Sequence, residues 1–213
     1  MALKLLIDND VILKLAQYGM LEHLPKLFTR SGEIQLSVLD SARYKLLPKQ
    51  NPLKLCKSEE AAAHIAALLG SAQKVSAADV DLDVLEQLNA IPGIDAGEAL
   101  LFAAAAADAE SVVLTGDKRA LNGLSENHLE AIAPSLKGKV IMLEGLIQGF
   151  VQLDHASTQH AIRSNPAVDK ALSMVFGVSA AASEESIQAG LNSYVGHARK
   201  LVGEMINNGP PFD

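Results

Sequence analysis

Apolar residues recur along this chain with two different periods, and the switches between them outline strands alternating with helices. Residues 3–7 (LKLLI) form an apolar run that ends at Asp8-Asn9-Asp10. Residues 11–18 continue with helical spacing, with Asp10 as the expected N-cap and Gly19 as the stop. A second helix is expected over 21–28. Residues 33–37 alternate polar and apolar as a strand does, and 38–46 read as a short helix before a loop marked by Pro48, Asn51 and Pro52. Ser58, Glu59 and Glu60 open a further helix, because acidic side chains suit the positive end of the helix dipole, and Gly70 closes it. Residues 78–88 read as helical, up to Pro92.

The stretch 93–121 (GIDAGEALLFAAAAADAESVVLTGDKRAL) is the most informative. Asp95 precedes Glu98 by three residues, the spacing of a capping box, and an alanine-rich helix runs on to about Asp108. Residues 111–115 (SVVLT) are a β-branched apolar run of the kind that forms a buried parallel strand, and Gly116 ends it before Asp117. Helices are expected from Lys118 and over 126–133, then a strand over 139–143. Beyond it the pattern is almost wholly helical: 146–152, 168–176 and a long helix over 183–206.

These elements predict an α/β fold with a mainly parallel central sheet, strands at 3–7, 34–37, 112–115 and 140–143, and helices on its faces. A composition shift near Phe150 marks the one candidate boundary, between a domain of residues 1–145 and a helical C-terminal extension of residues 146–213. In the last helix Ile187, Leu191, Tyr194, Val195, Ala198, Leu201, Val202 and Met205 recur at spacings of three and four. Such an apolar stripe must be buried. Packing on the protein's own body is expected, with a helix-mediated homodimer as the alternative.

The topology brings distant carboxylates together. A helix joining parallel strands runs opposite to them, so its N-terminus returns to the edge where the strands end. Asp95 and Glu98 therefore come back to Asp117, and Asp8 ends the first strand at that same edge. Open α/β sheets bind ligands in the crevice outside the carboxyl ends of their strands. An unpaired carboxylate there is costly, so Asp8 reads as functional.

Composition narrows the picture. Apolar residues make up 49% of 213, enough for a core, while aromatics are 4% and Trp is absent, so aliphatic packing must fill it. The net charge of −7 supplies no general attraction to nucleic acid. Its distribution is uneven: residues 1–60 hold nine Lys/Arg against seven Asp/Glu, and residues 61–150 hold five against twelve. A single cysteine, Cys56, excludes an internal disulfide and reads as an inert thiol. No run is long and apolar enough to span a membrane, and the first residues have no signal-peptide anatomy, so a soluble cytoplasmic protein is expected. The six histidines are scattered, and without Cys/His ligand spacing a zinc site is not expected.

LLIDND near the start, DAGEA opening an Ala-rich helix, and LTGDK after a strand together resemble the PIN-domain family. That family consists of metal-dependent ribonucleases and includes the toxin nucleases of toxin–antitoxin pairs. The resemblance covers roughly residues 3–145 and implies a three-layer α/β/α fold that hydrolyses RNA phosphodiesters, with RNA as substrate and an antitoxin protein as a partner. It places the catalytic, metal-binding acids on Asp8, Glu98 and Asp117, with Asp95 as a neighbour, and a small hydroxyl at Thr115. Two positions depart from the family. The Glu usual after the second strand is missing, and Asp40 either replaces it or merely caps a helix. Beyond the last acid, Lys118 and Arg119 stand where a further acid or polar residue is common. Crowded carboxylates raise one another's pKa unless a cation lies between them, and hard oxygen donors of this kind suit Mg²⁺ or Mn²⁺.

Other readings remain beside this one. Asp95 and Glu98 also read as two halves of a capping box, and Asp10, Asp40 and Asp117 as plain caps. Asp8-Asn9-Asp10-Val11 also fits the nucleophile motif of haloacid-dehalogenase-like phosphatases, with Asp8 phosphorylated and Asp10 as acid/base, but no acidic pair follows the last strand. A PIN-like fold without catalysis, serving RNA binding or assembly, is the third reading.

Overall fold

Leu5, Leu6 and Ile7 are fully buried, as an apolar run without alternation must be when helices cover both faces of its strand. The structure, a computed structural model, describes residues 2–126, 132–210 and 212. In chain order it holds β1 (Leu3–Ile7), α1 (Asn9–Gln17), a 3-10 helix (Leu21–Ser31), β2 (Ile34–Leu39), α2 (Ala42–Leu46), α3 (Leu53–Cys56), α4 (Glu59–Ser71), β3 (Gln73–Val75), α5 (Leu82–Asn89), α6 (Ala96–Ala107), β4 (Ser111–Thr115), α7 (Lys118–Glu126), β5 (Val140–Met142), α8 (Leu143–Leu153), α9 (His155–Ser164), α10 (Lys170–Phe176) and α11 (Glu184–Val202).

All strands pair in parallel, in the order β3-β2-β1-β4-β5. The fold is α/β, with α1 and α4 packed on each other and on β4 and β2, and with α6 packed on α5 and on β1, β3 and β4. The chain runs outward from β1 through β2 to β3, then crosses back to β4 and on to β5. Strand order therefore reverses between β1 and β4, and the crevice of a doubly wound sheet opens there.

Several elements differ from expectation, each for a local reason. The N-cap of α1 is Asp8 rather than Asp10: its carboxylate accepts from the Asn9 N–H at 2.7 Å and from the Asp10 N–H at 3.4 Å. Val38 and Leu39 belong to β2, not to a helix over 38–46, because they pair with Lys74 and Val75 of β3. That edge strand was not anticipated; it is three residues long and two of them are exposed, so it carries almost no pattern. Residues 78–88 split into a 3-10 turn capped by Ser76 and the helix α5 capped by Asp81, since two N-caps in close succession restart the backbone. The helix expected over 126–133 falls mostly on residues outside the described ones.

The last third is tied into the same body. Helix α8 starts directly where β5 ends, so the 145/146 division falls inside a helix whose residues 143–151 are all buried. Ile187, Leu191, Val195, Ala198 and Val202 form the buried stripe of α11, which packs on α7 and α8. The chain end then joins the sheet edge. Gly138 N–H donates to the Glu204 carbonyl at 2.7 Å and Asn207 N–H to the Val140 carbonyl at 2.9 Å. Phe212 stacks on Phe28 of the 3-10 helix, centroids 5.1 Å apart, and is 2% exposed. Among the described residues no helix is long and apolar enough to cross a membrane.

Phe212→Ala removes the chain end's anchor and leaves a cavity against Phe28. It is expected to lower the unfolding free energy by about 3–5 kcal/mol, read from urea denaturation.

Candidate functional site

Asp8 follows the last residue of β1, Asp117 stands two residues beyond β4, and Glu144 two beyond β5, so all three lie at the carboxyl edge of the sheet. Helix α6 leads into β4 antiparallel to it, which returns Asp95 and Glu98 to that edge. A cavity of about 490 Å³ opens there, and its walls include Asp8, Asn9, Asp10, Lys14, Lys45, Asp95, Glu98, Asp117, Lys118, Arg119, Glu144 and Asp169. The three acids singled out for catalysis, together with Asp95, thus share one cavity. Asp40 does not line it: it lies exposed in the turn after β2.

Each carboxylate has a local partner. Asp95 accepts from the Gly97 and Glu98 N–H groups at 2.8 and 2.9 Å, and Glu98 accepts from the Asp95 N–H at 2.8 Å, closing the expected capping box. Gly97 lies close beneath its neighbours: a Cβ there would stand 2.8 Å from a Leu39 methyl and 3.1 Å from the Asp95 carboxylate, so a larger residue would have to displace them. Thr115 is buried, and its hydroxyl accepts from the Asp117 N–H at 3.1 Å, which shapes the turn that presents Asp117. Asp117 in turn accepts from the Arg119 N–H at 2.7 Å and pairs with the Arg119 guanidinium at 2.8 Å. Lys14 bridges Asp10 at 2.8 Å and Asp169 at 2.9 Å. Lys118 pairs with Glu144 at 2.8 Å and lies 4.2 Å from the centre of the Tyr194 ring on α11.

Burial and mutual repulsion set the charge states. Asp8, 9% exposed, has its carboxyl pushed up to about 6, mainly by burial, with the charges of Asp10 and Asp95 adding to it. Glu98, 7% exposed, rises to about 7, again mainly by burial, and the charges of Asp117, Asp95 and Asp8 push the same way. Burial also pushes Asp117 upward, but Arg119 and the backbone N–H groups of Arg119 and Ala120 outweigh it and hold Asp117 below the usual range. Asp169 follows the same logic with Lys14 as its cation. The cavity thus holds two carboxyls that ionise reluctantly, Asp8 and Glu98, beside two that stay charged, Asp117 and Asp169.

These donors are all hard oxygens, the chemistry that suits Mg²⁺ or Mn²⁺. Two further oxygens in the cavity wall, Asn9 Oδ1 and Glu144 Oε2, are buried without a hydrogen-bond partner among the described residues. Among the described residues no three His, Cys, Asp or Glu side chains stand close enough to enclose an ion as they are. For Asp8, Glu98 and Asp117 to hold a divalent cation together these side chains would have to move closer; all three line the cavity, as does Glu144.

Sequence reasoning assigned no site role to Glu144 or Asp169. Glu144 carried a signal, since it follows a predicted strand at the same edge as Asp8 and Asp117. Asp169 carried none: it caps α10 and reaches the cavity only through the packing of the last helices. Comparison of the chain with protein-family models, curated proteins and solved structures found no match in any of the three.

A carboxyl with a raised folded-state pKa stabilises the fold fully below its unfolded pKa, and that contribution is lost as pH rises through the folded value. Without added metal, the protein is expected to lose stability between about pH 4 and pH 7 as Asp8 and Glu98 ionise. Asp8→Asn keeps a cap acceptor but cannot ionise. It is expected to match the wild type near pH 4 and to exceed it by about 2 kcal/mol at pH 8, measured by denaturation across that range.

Proposed function

We propose that this chain hydrolyses RNA phosphodiester bonds with a divalent metal ion, Mg²⁺ or Mn²⁺, as a PIN-like endoribonuclease. The observation that carries the reading is the meeting of Asp8, Glu98 and Asp117 in one cavity at the point where strand order reverses, with Asp8 and Glu98 raised mainly by burial and further by neighbouring charge. Such a cluster is electrostatically incomplete, and a divalent cation completes it. When bound, the ion lowers the pKa of a water molecule and offsets the charge that builds on the phosphate.

The protein's own residues do the rest. Asp8 is fixed by its bonds to the Asn9 and Asp10 N–H groups, and Glu98 by its bond to the Asp95 N–H, so two carboxylates are oriented in advance. Lys45, Lys118 and Arg119 stand on the cavity wall and attract the phosphates of a polyanion into an otherwise acidic hollow. Arg119 is paired with Asp117 at 2.8 Å, and a substrate phosphate would compete with Asp117 for that guanidinium.

Asp8→Asn and Asp117→Asn are each expected to lower Mg²⁺- or Mn²⁺-dependent RNA cleavage by on the order of a hundredfold or more while the fold survives. Cleavage of a labelled RNA by the wild type that persists in excess EDTA would end the proposal.

A second reading has its own observation. Arg119 holds Asp117 at 2.8 Å and Lys118 holds Glu144 at 2.8 Å, so the protein's own cations already offset part of the acidic ring, an arrangement that suits a PIN-like RNA-binding module without catalysis. In that case wild type and Asp8→Asn bind RNA alike, and neither cleaves it in Mn²⁺.

A further inference from the structure

The turn after β2 leads into a stretch unlike the rest of the chain. Residues 41–58 carry Arg43, Lys45, Lys49, Lys54 and Lys57 and no acidic residue, although the whole chain has a net charge of −7. All five cations are exposed. Among the described residues Arg43, Lys49, Lys54 and Lys57 have no carboxylate within ion-pairing distance, and Lys45 has only the Asp95 carboxylate at 3.9 Å. Because α2 follows β2 directly, this stretch begins at the sheet edge where the cavity opens, and Lys45 is part of the cavity wall.

Tyr44 stands in the middle of that charge. It is 71% exposed, whereas every other aromatic side chain among the described residues is buried or half-buried. Its neighbours Ala42 and Leu46 bury the inner face of α2, so packing makes no demand for an aromatic at position 44. A solvent-facing ring flanked by Arg43 and Lys45 is the pairing that single-stranded nucleic acids use: cations along the backbone and a ring face for an unpaired base. A duplex keeps its base faces stacked inside and has no use for the ring.

We propose that α2 and the residues up to Lys57 form a track for single-stranded RNA leading into the carboxylate cavity, with Tyr44 stacking an unpaired base and Lys45 meeting a phosphate at the cavity mouth. The proposal rests on the RNA reading of the cavity and names its substrate as unpaired RNA. It also answers the objection from net charge, since the approach to the site is basic even though the chain is acidic.

The test uses the full chain carrying Asp8→Asn, so that binding is read without turnover, with Mg²⁺ present. Fluorescence anisotropy follows a labelled single-stranded 12-nucleotide RNA and a blunt RNA duplex of equal length. Adding Tyr44→Ala is expected to weaken single-strand binding about tenfold, and Tyr44→Phe to restore it. Lys45→Ala with Lys49→Ala should weaken binding and reduce the slope of log affinity against log salt by about 1.4. Duplex binding should be weaker and indifferent to Tyr44. Single-strand binding unchanged by Tyr44→Ala, preference for the duplex, or no RNA binding at all would each overturn the track. Cleavage by chains with an intact Asp8 separates the two ideas. Metal-dependent cleavage with an unchanged KM in Tyr44→Ala removes the track and leaves the nuclease. Tyr44-dependent binding without any cleavage supports the track and removes the nuclease.

Discussion

An ionised carboxylate in the crevice between β1 and β4 has little water around it, and the groups at that end of the sheet are placed to offset this. Asp8 has two backbone N–H groups, Glu98 has one, Asp117 has Arg119, Glu144 has Lys118, and Asp10 and Asp169 share Lys14. Seven acidic residues still face only four cations in the cavity wall. Asp8 and Glu98 absorb the remaining repulsion by holding their protons to higher pH. A site poised in this way responds to any added positive charge.

The same electrostatics tie the C-terminal helices to the chemistry. Asp169 caps α10 and pairs with Lys14 of α1, and Tyr194 of α11 lies against the ammonium of Lys118 that holds Glu144. The buried stripe of α11 and the Phe28–Phe212 stack supply the apolar force that keeps these helices in place. Asp169 at the start of α10, with Leu143 and Glu144 of α8, therefore forms part of the cavity wall. Lys45 of α2 stands on the cavity wall and is exposed, within the basic stretch 41–58.

How much was legible in the chain depends on how local the cause was. The strands at 3–7 and 111–115 show in their apolar runs, because a strand covered on both faces needs no alternation. The Asp95–Glu98 capping box and the Ser58 cap show in their spacing, because a cap is completed within one turn. The gathering of Asp8, Glu98 and Asp117 was readable as well, since crossover connections in a parallel sheet force strand ends and helix starts to a common edge. The cap of α1 was misplaced by two residues because Asp8 and Asp10 are both good caps, and only the backbone at the strand end selects between them. Strand β3 could not be read: its pairing with β2, rather than its own residues, makes it a strand.

The sequence by itself determined the alternation of strands and helices, the parallel sheet that follows from it, and the carboxyl edge at which Asp8, Glu98 and Asp117 must meet. Each of these rests on interactions within a few residues or on chain connectivity. Tertiary structure alone decided which carboxylates are buried, which are paired, and which more distant residues join them. Asp169 reaches the cavity from an element far along the chain, Glu144 is sealed under Lys118, and Asp40 is left outside. Burial and long-range ion pairing depend on how the layers stack, and no pattern of neighbouring residues encodes that.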